Sequence, residues 1–183
     1  MNQFVALLRG INVGAAGKGR KSVAMPKLRD LVEGLGATGV ETYLQSGNVM
    51  FSADGTPTSW EGRIEKAIAT SFGCEVAVLV RSLDELAEIA AKCPYADAAE
   101  ERPNLLHVGF AKQKIAPPMA DATAKHCRSG ERVTVRGQAI WADYADGVAQ
   151  SRLTPAVLER AFGSPVTMRN VKTLRALVEM AAS

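Results

Sequence analysis

The first residues able to do chemistry follow a short apolar run near the start of the chain. Arg9 and Asn12 stand in the stretch RGIN, and Lys18 follows in a glycine-rich segment. A second polar stretch, QSGN, supplies Ser46 and Asn48 between two runs rich in β-branched and aromatic residues. A guanidinium group beside amides and a hydroxyl suits a carboxylate, a phosphate or a hydroxyl-rich ligand. The alternative is that the two asparagines satisfy turn backbone and that Arg9 makes a structural ion pair.

Positive charge is concentrated in the same part of the chain. The whole sequence has 22 Lys and Arg against 19 Asp and Glu, a net charge of +3, which is too mild to establish a nucleic-acid partner. Six cations precede the first acid, Asp30: Arg9, Lys18, Arg20, Lys21, Lys27 and Arg29. This field suits an anion, and the alternative is a solvated basic loop.

The glycine-rich segment does not match a nucleotide-hydrolase phosphate loop. That loop needs G-x-x-x-x-G-K-[ST], in which backbone amides and lysine hold phosphates and a hydroxyl holds magnesium. When the motif is placed on Gly17-Lys18, Asn12 fills the first glycine position and Gly19 fills the hydroxyl position. The dinucleotide spacing G-x-G-x-x-G fails as well, so the segment is interpreted as a flexible cationic loop after a strand.

A second group of candidate ligand-binding residues lies late in the chain, in QSRL (150–153) and TMRNVKT (167–173). Its members are Arg152, Arg169, Asn170 and Thr173, with Ser151 beside them. They are expected to gather near a helix N-terminus, which attracts anions, and to complete the first site across an interdomain cleft. The alternative is that Asn170 is only the N-cap of the terminal helix.

Other chemistries have less support. His126 and Cys127 resemble a thiol–imidazole pair, but neighbours on a helix point about 100° apart. His107 alternates within a strand and is expected to be buried and hydrogen-bonded. Two distant histidines without clustered carboxylates do not favour a metal site. RNA binding on a sheet would need paired aromatics, and the strand around Phe51 offers one.

Periodicity and turn residues predict the elements that position these side chains. In the first part they indicate a strand at 4–8, a helix from Pro26 to Gly36, a hairpin turning at Ser46-Gly47, a helix with a Thr58/Glu61 capping box ending at Gly73, and a strand at 76–80. This β-α-β-β-α-β order is that of the ferredoxin-like unit. In that topology the end of the first strand lies beside the turn between the second and third strands, which would bring RGIN next to QSGN.

The later part repeats the pattern less clearly. It predicts a strand in NLLHVGFA, a helix at 119–127, a hairpin turning at Arg136-Gly137, a helix starting at Thr154-Pro155, a short strand PVTM and a terminal helix. The expected architecture is α+β, with two ferredoxin-like (α-β plait) subdomains packed together. Residues 1–81 form the first, residues 82–103 a helix and connection, and residues 104–183 the second with the C-terminal helix.

The composition limits the classes of protein to which the chain can belong. Hydrophobic residues make up 47% of the chain, which is typical of a globular protein. No apolar run reaches the ~18–20 residues that span a bilayer, and the first residues lack the features of a secretion signal. Cys74, Cys93 and Cys127 have no CxxC spacing and are interpreted as reduced thiols in a cytoplasmic protein.

The stretches LLRGINVG, TYLQSGNVMFSA, LLHVGFA and TMRN..T, in this order, resemble a family of uncharacterised bacterial proteins, domain of unknown function 1697. The resemblance implies an α+β protein of two plait-like subdomains and no established activity. It also implies that the recurrent polar positions are Arg9, Gly10, Asn12, Ser46, Gly47, Asn48, Arg169, Asn170 and Thr173. The chain departs from the family at Val171, where tryptophan is usual, at Arg152, where lysine is common, and in its longer first loop.

These observations lead to one functional expectation and two alternatives. The expectation is a cytoplasmic protein that binds a small anionic, phosphate- or carboxylate-bearing ligand at the edge of the first subdomain. One alternative is a nucleic-acid-binding module that uses the basic loop 18–21, and the other is a non-catalytic interaction protein. No general base or activated nucleophile stands out, so catalysis is left open, as are any cofactor and the oligomeric state.

Overall fold

The computed structural model describes residues 1–13, 21–116, 121–127, 130–145 and 147–181. The chain divides into two compact units, Met1–Glu85 and Leu86–Ser183. Each unit contains a four-stranded sheet in which every neighbouring pair of strands is antiparallel. The predicted α+β class is confirmed.

The first unit has the element order expected from the sequence. Its elements are β1 (Asn2–Leu8), α1 (Met25–Gly34), β2 (Thr38–Tyr43), β3 (Asn48–Ala53), α2 (Pro57–Phe72) and β4 (Val78–Ser82), after which α3 (Leu83–Ala91) crosses the boundary between the units. The strand order is β2-β3-β1-β4. Because Leu7 pairs with Asn48, the end of β1 and the start of β3 lie at the same end of the sheet.

Alternating residues of β1 and one stripe of each helix build the core of the first unit. Phe4, Ala6 and Leu8 belong to one buried cluster with residues of both helices. On α2 the buried residues include Trp60, Ile64 and Ile68, whose four-residue spacing places them on one helix face. Two glutamates beside this stripe, Glu61 and Glu65, accept hydrogen bonds from amides of β4.

The predicted Thr58/Glu61 capping box is wrong. Helix α2 begins at Pro57, and its N-cap is Thr56, whose hydroxyl accepts from the Ser59 N–H at 3.2 Å. Glu61 instead accepts from the Val80 N–H at 3.0 Å. Strand β4 is an edge strand, so this carboxylate satisfies an amide that no neighbouring strand reaches. The capping pattern failed because Thr56-Pro57 is the stronger start signal, with proline at the first helical position.

The second unit repeats the order after a short helix. Its elements are α4 (Ala96–Glu101), β5 (Leu106–Ala111), α5 (Asp121–Ala124), β6 (Arg132–Arg136), β7 (Ala139–Asp143), α6 (Pro155–Phe162), β8 (Val166–Asn170) and α7 (Val171–Ala181). The strand order is β6-β7-β5-β8. The predicted helix at 119–127 is shorter than expected, and its first residues fall outside the described part of the chain.

Helix α6 has the same kind of N-cap, and the same kind of contact with an edge strand, as α2. Thr154 is its N-cap and accepts from the Val157 N–H at 3.4 Å, with Pro155 in the first turn. Glu159 accepts from the Val166 N–H of edge strand β8 at 3.2 Å, as Glu61 does for β4. Both helices begin with the sequence Thr-Pro-x-x-x-Glu. In both units the glutamate of this motif accepts from an amide of an edge strand, so the two units protect one sheet edge in the same way.

Candidate functional site

The structure brings RGIN and QSGN together at one end of the first sheet. The Leu8 N–H donates to the Gly47 carbonyl at 2.9 Å, directly beyond the ladder of β1 and β3. Gly47 has φ +78°, and a Cβ there would lie 2.6 Å from Ile11 Cδ1. Only glycine fits both the backbone conformation and the contact. We call residues 9–13, 21–23 and 43–48 the amino-terminal rim.

Asn12 is the residue that holds the rim together. Its side-chain Nδ2 donates to the carbonyls of Val23 at 2.8 Å and Gln45 at 2.9 Å. Its Oδ1 accepts from the Val23 N–H at 2.9 Å, and its own N–H donates to the Lys21 carbonyl at 2.9 Å. Asn12 has φ 54°, a left-handed conformation that asparagine tolerates better than most residues. Both amide protons are engaged within the protein, so Asn12 positions the rim.

Asn48 and Ser46 also act within the protein. Asn48 is fully buried, and its Nδ2 donates to the Tyr43 carbonyl at 2.7 Å and to Ser46 Oγ at 3.1 Å. This bridge closes the turn between β2 and β3, as the turn-bracing alternative expects. Ser46 is half-buried and lies closer to the surface.

Two described cationic residues flank the asparagines. The Arg9 N–H donates to the Ala77 carbonyl at 2.9 Å, which fixes Arg9 beside the start of β4, and Arg9 is half-buried. Lys21 is also half-buried, and its carbonyl accepts from Asn12. Lys18 and Arg20 lie outside the described residues. Asn12 is bonded to both Lys21 and Val23, so the described residues on either side of positions 14–20 lie close together.

The residues of the predicted second cluster have different roles in the structure. Asn170 Oδ1 accepts from the Thr173 N–H at 2.8 Å, so Asn170 caps α7 as the alternative interpretation expected. Ser151 Oγ donates to Glu131 Oε1 at 2.8 Å and accepts from the Leu153 N–H at 3.0 Å. Arg152 is exposed. Asn170 and Ser151 thus make capping and turn contacts within the protein.

Arg169 does not share a sheet face with Asn170, because successive residues of a strand point to opposite faces. Its Nη1 donates to Thr167 Oγ1 at 2.8 Å and to the Met168 carbonyl at 2.9 Å. Burial lowers the pKa of Arg169 to about 10, which still leaves it charged at neutral pH. The buried guanidinium is thus part of the interior of the second unit.

A buried charge network was missed from the sequence. Asp143, at the end of β7, has 0% exposure and accepts from Arg102 Nε at 3.1 Å and Nη2 at 2.7 Å. Arg132 donates to the same carboxylate through Nε at 3.0 Å and Nη2 at 2.7 Å. Arg132 also reaches Asp97 of α4 at 2.7 Å and lies 4.4 Å from the centre of the Tyr95 ring. The network ties α4 to the β6–β7 hairpin.

One sequence signal could have revealed part of this network. The hairpin turn at 137–138 pairs Arg136 with Ala139, so counting outward pairs Arg132 with Asp143. Opposite charges facing each other across a hairpin stabilise it. No pairing pattern in the sequence indicates that Arg102 joins this network, because Arg102 lies in a separate segment of the chain.

The surroundings of Cys127 and His107 fit structural roles. Burial raises the pKa of the Cys127 thiol, which points away from an activated nucleophile. His107 Nδ1 donates to the Leu105 carbonyl at 3.2 Å and burial lowers its pKa, so the predicted hydrogen bond is present, but the residue is half-buried and not fully buried. Among the described residues, no three His, Cys, Asp or Glu side chains are grouped to hold a metal ion. No helix in the described ranges is both long and apolar enough to cross a membrane.

The fold and the rim together define an α+β protein with two four-stranded antiparallel units and polar motifs hydrogen-bonded at the sheet ends. The chain belongs to the family described as "Protein of unknown function (DUF1697)", whose family model matches residues 1–141. It is similar to a solved structure of a conserved bacterial protein from Streptococcus pneumoniae, with 21% identity, a TM-score of 0.76, and coverage of 100% of this chain and 99% of that one. At that identity the likeness shows the fold alone. No curated protein matches the chain.

Proposed function

We propose that this protein binds a small phosphate- or carboxylate-bearing ligand at the amino-terminal rim. The observation that carries the proposal is the set of hydrogen bonds made by Asn12, which joins the end of β1, the return of the loop and the β2–β3 turn. These bonds join Asn12 to residues 21–23, and in the sequence Lys18 and Arg20 stand between Arg9 and Lys21. The four cations share one short segment without an intervening acid.

The asparagines have a positioning role in this proposal, and the cations contact the ligand. A pair of unit charges 4 Å apart near a protein surface interacts with about 4 kcal/mol at an effective dielectric constant of ~20, before desolvation is counted. Two or three such contacts are sufficient for micromolar to millimolar affinity once the costs of binding are subtracted. Because Asn12 fixes Lys21 and Val23 beside the end of β1, these residues lose less conformational entropy on binding than they would without its hydrogen bonds.

The proposal is tested by thermal denaturation with inorganic pyrophosphate, glucose 6-phosphate and adenosine monophosphate, each against sodium chloride at equal ionic strength. A ligand at ten times its Kd stabilises the folded state by about 1.4 kcal/mol. For a chain of this size that corresponds to a Tm increase of about 3–6 °C. The Arg9→Ala variant and the triple variant Lys18→Gln, Lys21→Gln, Arg20→Gln should lose most of this increase.

The matched control is Lys66→Gln, which removes an exposed cation from α2, a helix that contributes no residue to the rim. It should keep the full response to the ligand. A Tm increase that is equal in wild type, Arg9→Ala and Lys66→Gln would show that anions act on the whole protein through general screening, and the proposal would be abandoned.

The same experiment separates the two alternative functions. Binding of single-stranded RNA with a steep salt dependence that disappears in the triple variant would favour a nucleic-acid-binding module. Stacking of bases on β3 is not favoured, because Phe51 is 2% exposed and packs against Phe4 and Trp60. A lower Tm in Arg9→Ala with no response of wild type to any anion would favour the interaction protein.

We also propose that each unit is a ferredoxin-like plait. Support comes from the order β-α-β-β-α-β in both units and from the strand orders β2-β3-β1-β4 and β6-β7-β5-β8. The two orders correspond strand for strand, so the central pair of each sheet is formed by its first and third strands. An experimental structure with a different strand order in either unit would refute this assignment.

A further inference from the structure

The second unit contains a surface cleft that is distinct from the amino-terminal rim. The cleft has a volume of about 160 Å³ and is lined by Lys125, His126, Val157, Arg160 and Ala161. This volume is sufficient for a phosphate group and a few carbon atoms.

Two short segments form the walls of the cleft. Lys125 and His126 follow α5, where the His126 N–H donates to the Thr123 carbonyl at 3.0 Å and Thr123 is buried. Val157, Arg160 and Ala161 lie on one face of α6, because residues three and four positions apart are neighbours on a helix. The cleft therefore has two cationic side chains, an imidazole and an apolar wall.

The charges in this cleft are not neutralised by neighbours that the structure describes. Within the described ranges, the side chains of Lys125, His126 and Arg160 make no ion pair or hydrogen bond. The arginines of the buried network in the same unit, Arg102 and Arg132, each contact carboxylates. The carboxyl end of α6 contributes about −0.5 charge, which one cation offsets, so positive charge remains.

We propose that this cleft binds a small phosphomonoester. The phosphate contacts Lys125, His126 and Arg160, and the organic substituent packs on Val157 and Ala161. The assignment is independent of the proposed function, because it uses residues of another unit and no residue of the amino-terminal rim. A competing explanation is that the cations only stabilise the ends of α5 and α6, which are favourable positions for positive charge.

Nuclear magnetic resonance of the histidine rings tests the proposal on the full chain. The sequence has two histidines, and His107 is half-buried with its ring centre 5.1 Å from that of Tyr144, so it is an internal control. Phenyl phosphate, titrated at pH 7 and constant ionic strength, should move the Hε1 resonance of His126 downfield, because a nearby phosphate stabilises the protonated imidazole. The resonance of His107 should remain in place.

Variants make the test specific. Lys125→Gln and Arg160→Gln should each weaken phenyl phosphate binding at least fivefold, and Val157→Ser should weaken phenyl phosphate more than inorganic phosphate. Lys172→Gln, at an exposed position of α7, is the matched control and should bind as wild type does. Arg9→Ala should also leave the His126 response unchanged, which separates this site from the amino-terminal rim.

Three results would overturn the proposal. The first is a His126 resonance that does not move with phenyl phosphate or inorganic phosphate. The second is an equal movement in sodium chloride at the same ionic strength. The third is a lower Tm in Lys125→Gln and Arg160→Gln with unchanged phosphate affinity, which would assign the cations to helix stability.

Discussion

Replacement of Asp143 by asparagine is the sharpest test of the charge network in the second unit. The change keeps the size of the side chain but removes the negative charge that Arg102 and Arg132 share. It also replaces one acceptor oxygen with an NH₂ group, which faces guanidinium donors. We expect a marked loss of stability of the folded protein.

The magnitude follows from the geometry. The carboxylate accepts four hydrogen bonds, at 3.1, 2.7, 3.0 and 2.7 Å, and is fully buried. Removing one partner of a buried ion pair costs about 3–5 kcal/mol. The side chains of Arg102 and Arg132 are 26% and 39% exposed, so water can solvate them in part when the carboxylate is lost. We therefore expect about 2–3 kcal/mol, or a Tm decrease of about 4–12 °C.

The assay is urea denaturation followed by tryptophan fluorescence. The two tryptophans, Trp60 and Trp141, lie in different units. On a Trp60→Phe background the signal comes from Trp141 on β7, the strand that ends at Asp143. Asp97→Asn is the control, because Asp97 contacts the same arginines from a half-exposed position and should have a smaller effect.

The pH dependence supplies the refuting result. Burial alone would raise the pKa of Asp143, but hydrogen bonds from Arg102 and Arg132 hold it below its usual value. Stability from a carboxyl with a lowered folded pKa is present above the unfolded value of ~3.9 and is lost as pH falls through the folded pKa. The difference between wild type and Asp143→Asn should therefore be largest near pH 7 and shrink in acid. A loss no greater than that of Asp97→Asn, or a difference independent of pH, would refute the reasoning.

Three further predictions concern the first unit. In urea denaturation, Asn12→Ala should lower the free energy of unfolding by about 2–3 kcal/mol, because the side-chain hydrogen bonds are lost. Asn12→Gly should lower it by about 1 kcal/mol less, because glycine accepts the left-handed φ. Equal losses in the two variants would contradict this prediction. Gly47→Ala should cost at least about 2 kcal/mol in the same assay, since its Cβ would overlap Ile11, and an unchanged midpoint would show that the turn adapts. Glu61→Ala should speed hydrogen exchange of the Val80 amide, whereas Glu61→Gln keeps an acceptor oxygen and should retain most of the protection.

Much of the fold could be predicted because its local signals are strong. Thr154-Pro155 begins α6, Gly73 and Gly163 end α2 and α6 in left-handed conformations, and the apolar stripes place the helices on the sheets. The element order then indicated which strand ends meet. The juxtaposition of RGIN with QSGN follows from this order and is present in the structure.

The roles of the polar residues were harder to predict, because the same residue types bind ligands and brace turns. The sequence makes Asn12, Asn48 and Asn170 candidates for ligand binding, with turn bracing and helix capping as the alternative. In the structure their side chains make hydrogen bonds to backbone groups and to Ser46. A residue type and a position cannot distinguish these uses, because the partner is a carbonyl or amide that the fold brings from elsewhere.

Sequence by itself determined the α+β class, the two repeated element orders and the concentration of cations before Asp30, because propensity, periodicity and charge are local properties. Tertiary structure alone decided that Arg102 joins Arg132 on Asp143, that Glu61 covers an edge strand, and that Arg169 is buried. The first two depend on partners from separate elements, and the third depends on the parts of the chain that cover Arg169. Desolvation and hydrogen bonding act between groups that are close in space, and only the folded chain sets those distances.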